Sequence, residues 1–122
     1  MMTNKKTLVI GASENPARYS NKAIRALRLH NHDVVALAKR VGKVEDVVIQ
    51  TEFPESEKID TVSLYLGPQR QIEYYSQLVD LNPKRVIFNP GTENYELAEL
   101  LEKNDIAVEE ACTLVLLSIG DY

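Results

Sequence analysis

Short runs with strand character alternate with helical patterns along the chain, and this alternation restricts the fold more than any other feature of the sequence. Thr7-Leu8-Val9-Ile10 is a compact buried-strand candidate that ends at Gly11. Asp33-Val34-Val35-Ala36-Leu37-Ala38 is a second, and residues 47–49, 61–66, 85–88 and 106–108 supply four more. Between them, Ala23, Ile24 and Leu27 recur at helical spacing within residues 20–29. Ile72, Tyr75, Leu78 and Val79 do so within 69–81, and Leu97, Leu100 and Leu101 within 92–103. Residues 51–60, with Pro54 and four acidic side chains, read as a surface connection. The apolar tail 113–119 fits either a last helical turn or a sheet edge.

Strands that are apolar on both sides belong in a parallel sheet covered by helices on each face. Right-handed crossovers then give a doubly wound, Rossmann-like α/β sheet with the strand order 3-2-1-4-5-6. The 122 residues suit a single domain, 1–122, and neither a linker nor a repeat divides them. In this topology the chain reverses direction beside the first strand. Ligands sit in the crevice beyond the carboxyl ends of strands 1 and 4. The loops 11–20, 38–43, 66–69 and 89–92 face that crevice.

Composition excludes several classes. With 44% hydrophobic and 26% charged residues the chain reads as a soluble globular protein. No apolar run reaches the roughly 20 residues of a membrane span. The start Met1-Met2-Thr3-Asn4-Lys5-Lys6 is basic, but the apolar stretch after it is too short for a signal peptide, so a cytoplasmic location is expected. Cys112 is the single cysteine, which excludes an internal disulfide and a cysteine-only metal site. Two histidines, His30 and His32, leave little material for other metal chemistry. The net charge of −4 argues against non-specific nucleic-acid binding. Charge is nevertheless segregated: residues 1–43 hold nine basic and two acidic side chains, the remainder five basic and sixteen acidic. A small polyanion is the partner that such a cluster suits.

The first loop, Gly11-Ala12-Ser13-Glu14-Asn15-Pro16-Ala17-Arg18-Tyr19-Ser20, joins a strand to a helix, where open backbone amides and the helix dipole favour an anion. Gly11 permits a tight turn; Ser13, Asn15 and Ser20 add polar groups, and Arg18 adds charge. The loop has one glycine where the dinucleotide fingerprint has three. Ser20 as a helix N-cap, with Pro16 stiffening the loop, accounts for part of it without any ligand. After strand 2, where an NAD site places a carboxylate, the chain reads Ala38-Lys39-Arg40, with Lys43 close behind. Cations there suit a phosphorylated ribose, so the expected ligand is coenzyme A or NADP rather than NAD. Leu66-Gly67-Pro68 and Asn89-Pro90-Gly91-Thr92 are turn sequences whose small residues leave room for a thin, extended ligand arm.

Gly11-Ala12-Ser13 followed by Asn15-Pro16 and Arg18, with a basic loop after strand 2, resembles the CoA-binding-domain family. That family includes small stand-alone Rossmann-like proteins and the N-terminal domain of the succinyl-CoA synthetase alpha subunit. The likeness takes in Phe88-Asn89-Pro90-Gly91-Thr92-Glu93-Asn94 and the segment from Val108 to Cys112. It implies that Gly11, Ala12, Ser13, Asn15, Pro16 and Arg18 lie against the CoA pyrophosphate. It implies further that Lys39 and Arg40 lie near the adenosine 3′-phosphate, Leu66, Gly67 and Pro68 beside the pantetheine arm, and Asn89, Pro90 and Gly91 near its far end. Two positions depart from the family pattern: Ala38-Lys39 replaces an Asn-Pro turn, and Tyr19 stands where many members have proline. Tyr19 would either stack on the ligand or block its pocket.

No catalytic set emerges. His30 and His32 fall at the amino end of strand 2, away from the crevice, where solvated or capping roles are expected. Ser13 has no histidine near it in sequence, and Cys112 reads as a small buried hydrophobe or, alternatively, a thiol near the pantetheine end. Three readings follow: a CoA- or acyl-CoA-binding module without chemistry of its own, an NADP-linked small enzyme or subunit completed by a protein partner, and an interaction protein with a degenerate pocket. Oligomeric state is not legible.

Overall fold

The strand β1 (Thr7–Ile10) is buried at every residue and hydrogen-bonded along both edges. The computed structural model describes residues 3–122; Met1 and Met2, part of the basic start, lie outside them. On one side β1 pairs with β2 (Val34–Leu37), with Thr7 opposite Val34. On the other it pairs with β5 (Thr61–Leu64), with Thr7 opposite Thr61. Outward from these lie β4 (Val47–Gln50) beside β2, and β6 (Arg85–Phe88) then β7 (Ala107–Glu110) beyond β5. All these pairs are parallel, and the six expected strands stand in the expected order.

A seventh strand, β3 (Gly42–Val44), was not expected. It runs antiparallel to β4 at the sheet edge, with Val44 opposite Val47, through the two-residue turn Glu45-Asp46. Glu45 adopts a left-handed φ of 54°, a conformation for which hairpins usually carry Asn or Gly.

Although β1 is buried throughout, its side chains alternate between two cores. Leu8 and Ile10 join Val62, Leu64, Val86 and Phe88 beneath α3 (Tyr75–Leu81) and α4 (Tyr95–Lys103). Val9 and Ala36 meet Ile24 and Leu27 of α1 (Tyr19–Leu29), and Leu117 of α5 (Thr113–Ser118), on the opposite face. Helices on both faces make this a single doubly wound α/β unit. The tail is therefore helical, resolving the two options left by its sequence.

The expected helix 69–81 is broken. A single turn, α2 (Pro68–Gln71), begins with proline at its first position and leads into a tighter 3-10 turn, Ile72–Tyr74, before α3 resumes. The break rotates the faces: Ile72 is 58% exposed and Tyr74 is buried in its place. Asn94, rather than Thr92, opens α4, its side chain accepting from the Leu97 N–H at 3.3 Å.

At the amino end of the sheet, His32 is buried, not solvated. Its Nδ1 accepts the Lys5 N–H at 2.9 Å, and its ring lies 5.0 Å from that of Tyr122. Burial lowers its pKa, helped by His30, Lys5 and Arg85 and opposed by Asp60. His30 does cap α1, with its ring Nδ1 2.8 Å from the Ala26 carbonyl. The folded state thus favours neutral His32, so its contribution is present above the ordinary value near 6.5 and lost as pH falls through the depressed folded value. Urea midpoints measured at about pH 7.5 and about pH 5 should show a loss on acidification that is smaller in His32→Gln. An identical loss in both proteins would contradict this assignment.

Candidate functional site

The carboxyl ends of β1, β2 and β5 open into a cleft of about 880 Å³. The chain leaves β1 at Gly11 with φ at +94°, and a Cβ built there would stand 3.0 Å from the Tyr65 carbonyl carbon and oxygen. Glycine is therefore required twice, for the turn and for the close approach. Both the Gly11 and Ala12 amides donate back to the Leu37 carbonyl, at 2.9 and 3.2 Å, so they extend the sheet. These two amides are therefore not free to meet an anion, and the open ones lie further along the loop. Further along, the Asn15 N–H donates to Ser13 Oγ at 3.1 Å and the Ala17 N–H to Asn15 Oδ1 at 3.0 Å. The amides of Ser13, Glu14, Tyr19, Ser20 and Asn21 meet no acceptor among the described residues. Arg18 occupies the N-cap of α1 without a capping side chain, and Ser20 lies inside the helix, which overturns the N-cap reading of Ser20.

Of the expected site residues, Gly11, Ala12, Ser13, Asn15, Arg18, Tyr19, Ser20, Lys39, Arg40, Leu66, Gly67, Pro90 and Gly91 line this cleft. Pro16, Pro68 and Asn89 do not. Asn89 is buried and fully engaged: its Nδ2 donates to Ser63 Oγ (2.9 Å) and the Leu64 carbonyl (2.8 Å), and its Oδ1 accepts the Thr113 N–H (2.9 Å). It is a bracket between β5, β6 and α5. Pro90 and Gly91 form the turn that follows, closed by the Thr92 N–H on the Asn89 carbonyl at 2.9 Å, with Gly91 at φ +91°. Tyr19 is 68% exposed and lies beside Lys22 at 5.2 Å, so it stands at the rim and does not fill the cleft.

Charge at the cleft is mixed. Arg18 and Arg40 line it with Arg70, which the sequence reading missed; none of the three has a carboxylate partner among the described residues. Lys39 pairs with Glu73, and that hydrogen bond, more than any other cause, raises the lysine pKa. Glu14 also reaches in: its carboxylate accepts the Lys43 N–H at 2.9 Å and lies against Gly42, where a Cβ would stand 2.5 Å from the carboxyl carbon. The rest of the basic half points elsewhere. Lys22, Arg25, Arg28 and Lys43 line a separate hollow on the outer side of α1, where Arg28 pairs with Asp46 at 2.8 Å, while Lys6 pairs with Glu57 near the amino end of the sheet.

Gln71 carries no site signal in the sequence. It is buried, and its Nε2 donates to the Leu66 and Thr92 carbonyls, each at 2.8 Å, tying the loops after β5 and β6 together. Tyr65 lines the inner wall, its hydroxyl buried without a partner among the described residues; burial pushes its pKa up to about 12. Cys112 is half-buried and outside the lining. No group of three or more His, Cys, Asp or Glu could hold a metal among the described residues. Nor is any helix among them long and apolar enough to cross a membrane.

A mostly parallel, doubly wound sheet with a polar, ligand-sized cleft at the reversal beside its first strand defines a Rossmann-like α/β domain. The chain belongs to the CoA binding domain family, whose model matches residues 5–118. A crystal structure of an uncharacterized protein is 44% identical, with TM-score 0.95 over 99% of this chain and 100% of that one. A hypothetical protein from Pyrococcus horikoshii OT3 is 24% identical, with TM-score 0.84 over 92% and 80%. The dinucleotide-forming acetyl-coenzyme A synthetase 1 of Ca. Korarchaeum cryptofilum is 12% identical, with TM-score 0.73 over 88% of this chain and 26% of that much longer one. The last two likenesses are of fold. No curated protein matches the chain significantly.

Gly11→Ala should lower stability by about 1–3 kcal/mol, because it combines a left-handed φ with a backbone clash. Denaturant titration measures this, and an unchanged midpoint would contradict it.

Proposed function

We propose that this chain is a binding module for coenzyme A or an acyl-CoA, held in the cleft beyond β1 and β5, with no chemistry of its own. One observation carries the reading: Arg18, Arg40 and Arg70 line the cleft at which α1 begins, and none is neutralised by a carboxylate among the described residues. Three unpaired guanidinium groups beside the open amides of a helix start suit a ligand with several phosphates. In this reading Arg18 and the free amides of Ser13, Glu14, Tyr19, Ser20 and Asn21 would hold the pyrophosphate. Arg40 and Lys39 would meet the ribose phosphate.

The arm of the ligand would pass Leu66, Gly67, Pro90 and Gly91. A Cβ at Gly67 or Gly91 would meet nothing within 4 Å, so the space above both turns is open. Family membership supports coenzyme A over NADP. The absence of chemistry rests on placement: both histidines lie at the amino end of β2, across the sheet from the cleft. Ser13 Oγ is engaged by the Asn15 N–H.

Thermal denaturation with CoA, NADP, NAD and ADP tests the proposal. CoA at about a hundredfold excess over its Kd should add about 2.7 kcal/mol of stability, and the shift should vanish in an Arg18→Ala, Arg40→Ala double variant. Gly67→Leu should keep the ligand-free melting temperature, since Gly67 has φ −65° and open space, yet lose the CoA shift. A shift with NADP and none with CoA would contradict the reading.

A further inference from the structure

We propose that Glu73 sets how strongly the cleft prefers a 3′-phosphorylated nucleotide, by competing with that phosphate for Lys39; the inference rests on the coenzyme A reading above. Lys39 follows β2, and Glu73 sits in the 3-10 turn after α2, beyond β5. β2 and β5 flank β1 on opposite sides, so the Lys39–Glu73 ion pair spans the crevice where the sheet reverses. The ammonium also lies 5.6 Å from the ring centre of Tyr74, which is buried and stacked on Phe53 at 6.2 Å. The pair is anchored to a packed wall on the Glu73 side, while Lys39 reaches across from the other.

Four cations line the cleft, and among the described residues Lys39 is the one already matched by a carboxylate. Its side chain is 62% exposed and that of Glu73 is 50% exposed, so the pair is open to exchange. A nucleotide with free ribose hydroxyls leaves it intact. One with a ribose phosphate must draw the ammonium away and bring its own negative charge toward Glu73. The attraction of Lys39 for that phosphate is therefore offset by the pair it breaks. Exposed ion pairs are modest in strength, so the offset is severalfold and not many orders of magnitude.

Calorimetric titration of CoA and dephospho-CoA into the unaltered protein, Glu73→Gln, Lys39→Gln and the double variant tests this. Glu73→Gln should bind CoA about fivefold more tightly, leave dephospho-CoA unchanged, and confer no gain in the Lys39→Gln background. An equal gain for both ligands, a gain that survives without Lys39, or no gain would overturn the proposal while CoA binding itself stands. No CoA binding by any of the four proteins would overturn both this proposal and the coenzyme reading.

Discussion

The central strand Thr7–Ile10 is hydrogen-bonded on both edges and buried on both faces, and the rest of the molecule is arranged by that fact. With β2 on one flank and β5 on the other, the loops that follow these strands must diverge above it. The gap can stay open because Gly11 turns away at a positive φ and lets the Tyr65 carbonyl come close. A side chain at Gly11 would push apart the two strands whose ends frame the cleft. Fold and cleft thus share one constraint, the close contact between the first loop and the end of β5.

The loops around the cleft are held by polar contacts between elements as well as by their own turns. Glu14 ties the first loop to Gly42 and Lys43, Gln71 ties Leu66 to Thr92, and Asn89 fastens β6 to β5 and α5. Gln71 and Asn89 are buried and satisfied, and such groups fix loop positions at small net gain in stability, because each would be expensive to leave unpaired. They are the reason that flexible-looking Gly-Pro and Pro-Gly sequences form a defined wall. The unpaired cations, by contrast, are left facing solvent at the rim.

Much of this was legible in the sequence. Apolar runs gave the six parallel strands and their order, and that order located the four loops and brought Arg18, Lys39 and Arg40 to one hollow. The hairpin β3–β4 was invisible because Glu45-Asp46 carries no glycine or asparagine, although Glu45 takes the conformation that favours them. The 3-10 break at Ile72–Tyr74 is a tertiary effect that helical periodicity does not encode, and it hid Tyr74, Gln71 and Glu73. Arg70 carries no site signal for a simpler reason: it falls within the expected helix 69–81, and the sequence does not show that this helix borders the cleft. That the Gly11 and Ala12 amides are occupied does not show in the sequence, because their acceptor, the Leu37 carbonyl, is distant along the chain.

Titration of isotope-labelled protein with coenzyme A, followed by backbone amide chemical shifts, tests the central claim most directly. The account predicts that the largest changes fall on Ser13, Glu14, Tyr19, Ser20, Arg40, Gly67 and Gly91, all bordering one cleft. Changes confined to the outer side of α1 near Lys22, Arg25 and Lys43, or to the His32 end of the sheet, would contradict it.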